Sequence, residues 1–385
     1  MTATLTEDFK SEGITEINTK SKLTQGDSIE EVIGTDYTYK HEIIWKNVVG
    51  FMVLHLFGLW GLVRLITGNI YLKTFLWACF VAYFGSEGVT IGAHRLFTHK
   101  SFKAKPILRF CLILMQTVAG QNSVFHWCRD HRLHHRYTDT DGDPHNSRRG
   151  FFFSHMGWLM TKKHPLITKL GSKLDFSDLQ ADWMIIYQKK YFLQIYFFVA
   201  FLIPVWVPVS YLNESWLNSI LCCYFFRYIV SLHCTWLINS AGHLYGTRPY
   251  DKTLLPVESW FVSLISLGEG WHNYHHVFPW DYKAAELTMQ FNLSATFIRF
   301  FEKIGWAYDL KSVSPEMVIN RIIKTGDGTH KEFGDEESKK AVKATGILHP
   351  LNPTYNVTYK IPEVKHKTEG LPLYHEKDVI KHASL

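Results

Sequence analysis

Residues 268–282 read GEGWHNYHHVFPWDY. His272, His275 and His276 fall there at i, i+3 and i+4, so a helix of about 3.6 residues per turn sets the first over the other two on one side. The adjacent pair diverges by roughly 100°, which lets His275 and His276 serve two metal ions rather than crowd one. The same spacing recurs upstream as His131, His134 and His135 in DHRLHHRYTDTDGDPHN (130–146), and a wider pair, His94 and His99, stands in GAHRLFTHKSF (92–102). Two triplets and a pair, each beside a membrane-length apolar segment, point to a polyhistidine metal centre. Neutral imidazole suits iron, zinc, copper and nickel alike, so donor type leaves the metal open. Eight imidazoles exceed what one ion takes, which implies two ions. Histidines outside these boxes, such as His41, His55, His164 and His233, read as ordinary surface or core residues.

The 385-residue chain has a formal net charge of +6, which suits anionic lipid headgroups or an anionic substrate. Its mean hydropathy is near zero only because long apolar blocks alternate with charged stretches. The first 40 residues are polar and lack the apolar core of a cleavable signal peptide, so 1–40 reads as a flexible cytosolic arm. The cysteines (Cys79, Cys111, Cys128, Cys222, Cys223, Cys234) form no C-x-x-C and sit mostly in apolar segments, as buried reduced thiols do.

Residues 47–67 and 70–92 are each long enough to cross a hydrocarbon layer of about 30 Å, and the short loop between them predicts an antiparallel hairpin. A second hairpin is expected from 191–212 and 216–238, with Pro204 and Pro208 kinking the third span. The stretch 107–125 is apolar but carries Arg109, Gln116, Gln121 and Asn122. If it crossed, the first two histidine boxes would face opposite sides, so it is expected to be an interfacial or cap-buried helix. With four crossings every box lies on one side. Lys and Arg are dense between Gly92 and Lys190 and almost absent from the loops at Gly68 and Asn213, which makes that side the cytosol. The expected fold is thus an all-α integral membrane protein with four transmembrane helices in two hairpins. A cytosolic helical cap (93–190 and 239–310) completes a membrane domain over 41–310 and holds the histidine-rich centre. Residues 311–385 read as a cytosolic C-terminal tail, polar and Pro-bearing beyond about 325.

Two other metal designs are tested by spacing. Glu269-Gly-Trp-His272 matches the E-x-x-H of four-helix carboxylate centres, but its only other occurrence, Glu363-Val-Lys-His366, lies in the tail, so Glu269 reads as a supporting or capping group. Asp139, Asp141 and Asp143 resemble the start of a calcium loop, yet the glycine comes too early and position twelve is Gly150. These aspartates are better placed to accept hydrogen bonds from ligand imidazoles and fix their tautomers. Asn239 and His243 stand one helical turn apart where the fourth span emerges, which makes His243 a ninth ligand and Asn239 a holder of a metal-bound water.

With these motifs the chain resembles a membrane acyl-CoA desaturase of the stearoyl-CoA desaturase type, insect members in particular, over roughly residues 40–310. GAHRLFTHKSF is similar to that family's first box, DHRLHHRYTDTDGDPHNSRRGFFFSHMGWLM to the second, GEGWHNYHHVFPWDY to the third, and NSAGHLYGTRPYD to the segment bearing its additional histidine. The resemblance implies a di-iron centre of two Fe2+ ions. One would be held by His94, His99, His131, His135 and His275, and the other by His134, His243, His272 and His276 with Asn239 through water. It assigns Asn47, Asn122, Arg129, Asp130, Lys162, Lys163 and Trp236 to the acyl-CoA path. Lys162 stands where close relatives have Arg, which keeps the charge and loses a bidentate fork.

The implied reaction inserts a double bond, Δ9 or Δ11, into a long-chain saturated fatty acyl-CoA with O2, in unsaturated fatty acid biosynthesis at the endoplasmic reticulum membrane. The chain has no H-P-G-G haem motif and no G-x-G-x-x-G fingerprint, so electrons are expected from cytochrome b5 and its NADH-dependent reductase. No nucleic-acid partner is expected. A fatty-acyl hydroxylase on the same scaffold is the neighbouring alternative. A membrane metal transporter would need ligands deep inside the spans, whereas the boxes lie at or beyond the helix ends.

Overall fold

The computed structural model describes residues 30–286, 292–345 and 357–360. Helix α1 (Trp45–Ile66) and helix α2 (Leu72–Thr98) form the first hairpin. Next come α3 (Pro106–Ala119), α4 (Val124–Tyr137) and the short α5 (Phe151–His155). The second hairpin is α6 (Phe192–Tyr211) and α7 (Trp216–Leu244). The third box lies on α8 (His272–Val277), followed by α9 (Leu293–Lys303) and α10 (Pro315–Thr325). Among the described residues α1, α2, α6 and α7 are the helices long and apolar enough to cross a membrane, so the chain is a multi-pass membrane protein.

At 14 residues α3 is too short to cross, since it reaches about 21 Å at 1.5 Å per residue. Its buried face (Leu108, Leu112, Ile113, Gln116) packs against α2, and Ile107 and Phe110 stay exposed. The approach is close because α2 presents glycine there. A Cβ on Gly88 would stand 2.2 Å from the Gln116 nitrogen. Gly61 of α1 does the same toward α7, where a Cβ would meet the Leu221 carbonyl oxygen at 2.5 Å.

The spans run further than hydropathy indicates. Helix α2 continues to Thr98 instead of ending at 92, and α7 to Leu244 instead of 238. Both extensions carry polar box residues into a protein cap rather than into lipid, and hydropathy cannot register that. The last part of α2, Gly88–Thr98, is π-helical. Helix α7 breaks at Ser240, so Asn239 ends one segment and His243 belongs to the next. On the opposite side of the membrane the Glu214 carboxylate accepts from the Tyr71 amide, the Thr74 hydroxyl and the Asn218 amide, clipping the two hairpin turns together.

The reading of 1–40 as a flexible arm and 311–385 as a tail needs correction where each meets the cap. Ile33 is buried among Leu133, Tyr137, Ile167 and Leu170, and the Asp36 amide donates to Asp141 at 2.7 Å. Strand β1 (Glu30–Ile33) pairs antiparallel with the later strand Val357–Lys360. Val318 and Ile322 of α10 pack on Tyr250, Tyr274 and Phe278, and His330 meets Glu286 at 3.0 Å. Both segments hold apolar residues whose partners lie far off in the chain, which composition averages do not reveal. Residues 1–29, 346–356 and 361–385 lie outside the described residues.

Candidate metal centre

The boxes converge where α2, α4, α7 and α8 meet beneath the cap. The ring nitrogens of His94, His99, His131, His135 and His275 lie within 4.8 Å of one another, and those of His134, His243, His272 and His276 form a second such set. Each triplet divides in the same way. Its i, i+4 pair enters one set and its remaining histidine the other: 131/135 against 134, and 272/276 against 275. His94 and His99, five residues apart, would diverge on an α-helix. The π-helical turn closes an i to i+5 register, with the His99 amide on the His94 carbonyl at 3.1 Å, and brings both rings to one face.

Carboxylates orient these rings. A carboxylate only accepts, so the imidazole must donate: His134 Nδ1 to Asp143 at 2.7 Å, His243 Nδ1 to Asp139 at 2.8 Å, and His94 Nδ1 to Glu269 at 3.1 Å. This leaves the Nε2 lone pairs of His94, His134 and His243 turned inward. Asp141 behaves otherwise and takes Arg149 and the Asp36 amide. Although burial works against its charge, Arg95 and His94 hold the Glu269 carboxyl down at about 2. Burial, reinforced by neighbouring rings, keeps His99, His131, His135, His272, His275 and His276 far below the usual imidazole range, so all are neutral at pH 7. Asp143 overcomes burial at His134 and raises it.

This donor set fits metal. Nε2 atoms face one another at 2.9 Å (His94–His275), 2.9 Å (His275–His135), 3.1 Å (His243–His272) and 3.2 Å (His134–His276). An ion about 2.1 Å from each nitrogen sets neighbouring donors about 3 Å apart. Neutral rings joined only by protons do not satisfy the cluster: with their N–H given to aspartate, His134 and His243 accept at Nε2, which makes His276 and His272 Nε2 donors that face each other at 3.2 Å.

Among residues expected on the acyl-CoA path, Arg129, Asp130 and Lys163 come together. Asp130 takes Arg129 at 2.7 Å and Lys163 at 2.6 Å, and these cations keep its carboxyl well below the usual range despite burial. Lys162 is apart from them, exposed beside Glu42 at 2.8 Å. Asn47 donates to the Leu159 carbonyl at 2.8 Å and joins α1 to the cap. Asn122 is exposed and accepts from the Ser123 amide at the start of α4. Trp236 is buried between Phe51, His155 and His233. Asn239 is half-buried at its helix end.

Two features escape a reading by spacing. His145 joins His134 and Asp143 in a third potential donor group; the signal available was its place two residues after an aspartate of the second box. His55 and His233, read as isolated, belong with His155 to a hydrogen-bonded chain across α1, α7 and α5, at 3.1 Å and 2.9 Å.

Fold and site together define a multi-pass membrane protein with a buried polyhistidine centre able to hold metal. The fatty acid desaturase family profile matches residues 70–291. The chain is 48% identical over 297 residues, 77% of its own length and 82% of the relative's, to the acyl-CoA Delta-9 desaturase of Acheta domesticus. It is 48% identical over 292 residues to the acyl-CoA Delta(11) desaturase of Spodoptera littoralis, covering 76% and 86% of the two chains. It is 46% identical over 292 residues to the stearoyl-CoA desaturase of Homo sapiens, covering 76% and 81%. The chain belongs to the fatty acid desaturase family.

Proposed function

We propose that this enzyme desaturates a long-chain saturated fatty acyl-CoA on the cytosolic face of the endoplasmic reticulum membrane. Per turnover, –CH2–CH2– plus O2, two electrons and two protons becomes –CH=CH– plus two waters, with the electrons coming from cytochrome b5 and its NADH-dependent reductase. The observation that carries this reading is the division of nine imidazoles into two donor sets at one end of the spanning helices. His94, His99, His131, His135 and His275 would hold one Fe2+, and His134, His243, His272 and His276 the other, with Asn239 acting through water. When bound, the irons supply with O2 the oxidising power that unactivated C–H bonds demand and that no side chain has.

The chain's own residues orient and exclude. Glu269, Asp139 and Asp143 fix ring tautomers, so the donor geometry exists before metal arrives. Arg129 and Lys163, held as a pair by Asp130, leave one net positive charge for the phosphates of CoA, and exposed Lys162, paired with Glu42, is a further cation nearby in sequence. Trp236, buried where α7 meets the cap, would bound the acyl path, and Asn47 and Asn122 would lie along it. Holding the acyl carbons at a set distance from the phosphate-binding cations is what selects one pair of carbons.

One relative is named for Δ9 and another for Δ11, and Δ9 is the first position to test. In desaturase-deficient yeast the expected outcome is growth without added unsaturated fatty acid, with one double-bond position in the accumulated lipid. Products heavier by one oxygen, with no loss of hydrogen, would overturn desaturation in favour of hydroxylation. Iron near two atoms per chain in the purified protein is expected.

A further inference from the structure

Helix α9 has two apolar faces, and among the described residues only one is packed against protein. Ser294 and Ile298 are buried, and Ala295 and Phe301 pack against the core beside α2 and α3. Leu293, Phe297, Phe300 and Ile304 are 44%, 38%, 53% and 45% exposed. They follow one another at i, i+4, i+7 and i+11, and at about 100° per residue all four fall within roughly 60° of the helix circumference. Thr296, Arg299, Glu302 and Lys303 take the remaining, solvent-facing sector. The helix thus presents separate sectors to protein, to water and to something apolar.

The position of the stripe identifies that third partner. The Ser294 hydroxyl meets the Glu87 carboxylate at 2.8 Å and the Thr90 hydroxyl at 3.0 Å, which pins α9 to the last turns of α2. The Phe297 ring stands 6.3 Å from that of Tyr83. Around Tyr83, α2 exposes Leu76, Phe80 and Phe84 as its lipid-facing side, so the stripe on α9 continues a surface already turned to the bilayer. The far end of α9 is held level with α3. The Lys105 amide donates to the Trp306 carbonyl, and β2 (Lys103–Ala104) pairs with β3 (Ala307–Tyr308). Ile107 and Phe110 of α3 and Tyr308 are exposed alongside. Lys105, Arg299 and Lys303 are exposed around this shelf, as suits anionic headgroups.

We propose that α9 is an in-plane membrane helix. Its Leu293–Phe297–Phe300–Ile304 stripe lies at the boundary between headgroups and acyl chains of the cap-side leaflet, so that the cap rests on lipid beside α2. The placement is independent of the reaction and of the metals.

The test places an environment-sensitive fluorescent amino acid at Phe297, Phe300 or Arg299, one at a time, in the full chain reconstituted into phosphatidylcholine vesicles. Blue-shifted emission at 297 and 300 is expected, quenched by a nitroxide near the top of the lipid acyl chain and protected from aqueous iodide. The reverse is expected at 299, one residue away on the polar sector. Because 297 and 300 are exposed, independent positions, loss of one variant to misfolding leaves the other decisive. Iodide quenching at 297 and 300 equal to that at 299 would overturn the proposal. So would shielding from both quenchers that disappears at one chain per vesicle, since a second copy would then cover the stripe.

Discussion

A histidine in this protein is defined by what its Nδ1 touches. Where Nδ1 donates to a carboxylate, as in His134 to Asp143, the Nε2 lone pair is committed to the centre. Asp143→Asn keeps shape but removes the negative charge that holds the tautomer. Metal affinity should fall about 10–100-fold, read as metal retained after challenge with graded chelator. The chain through His55 obeys the opposite logic, because each ring uses both nitrogens. The Phe51 carbonyl, 2.7 Å from His55 Nδ1, can only accept, so His55 Nε2 is a bare acceptor. His233 Nε2 must donate to it, and His155 Nε2 must donate to His233 Nδ1. At the other end the Ser240 hydroxyl lies 2.9 Å from His155 Nδ1 and donates to the Trp236 carbonyl at 2.8 Å. Burial holds His155 at about 4, in keeping with a neutral ring. His233→Leu strands one donor and one acceptor at a cost of about 1–3 kcal/mol each. A lower melting temperature with unchanged metal content is expected, since none of these nitrogens belongs to either donor set. Nothing in the sequence announces this chain. Its members sit on three elements with no shared motif, whereas the boxes declare themselves because ligand spacing is local.

At the scale of helices, hydropathy found the four long apolar helices but ended α2 and α7 six residues early, and the short reach of α3 follows from its polar interruptions together with the glycine at its end. Gly120 takes a left-handed φ of 68° and stops the helix. Hydropathy could not indicate that α2 changes to a π-helical register at Gly88. The spacing of His94 and His99 was the available clue, because five residues match the i to i+5 hydrogen bond of a π-helix and not the i to i+4 bond of an α-helix. Gly88 is where the register changes and where α3 comes nearest, so Gly88→Ala drives a Cβ to 2.3 Å from the Met115 carbonyl carbon as well as onto the Gln116 nitrogen. Backbone cannot step aside as a side chain does. The variant should lose on the order of 1–3 kcal/mol or more by overpacking, together with metal occupancy in the set containing His94. Gly50 in α1 is the control, because a Cβ there meets nothing within 4 Å. Gly50→Ala should be neutral or stabilising by up to about 1 kcal/mol through helix propensity. Thermal melting in one detergent compares the two.

For the molecule as a whole, four segments far apart in the chain deliver imidazole rings to a single site, and this has a consequence for folding in acid. Six of these imidazoles, at 99, 131, 135, 272, 275 and 276, are held far below the ordinary value of 6.5 by burial and by one another. In the unfolded chain they titrate near that value. Below about pH 6.5 the unfolded state therefore binds protons that the folded state refuses, and stability falls as pH falls, by up to about 1.4 kcal/mol per pH unit for each ring. His134, raised by Asp143, and Glu258, pushed up to about 8 by burial, contribute in the opposite direction but are two groups against six. The carboxylates act later. Glu269, held at about 2, loses its contribution only as pH passes below the ordinary carboxylate range of about 4. A metal-stripped sample should accordingly be stable at pH 8 and lose melting temperature steeply between pH 6.5 and 5, before the Glu269 carboxylate is protonated. Metal binds only the folded, neutral donors, so loading should raise the melting temperature and move the acid loss to lower pH. A metal-free melting temperature that stays flat from pH 8 to pH 5 would mean that the rings are solvated in the folded chain, which contradicts the burial of His272 and His275 at 4% and 2% exposure.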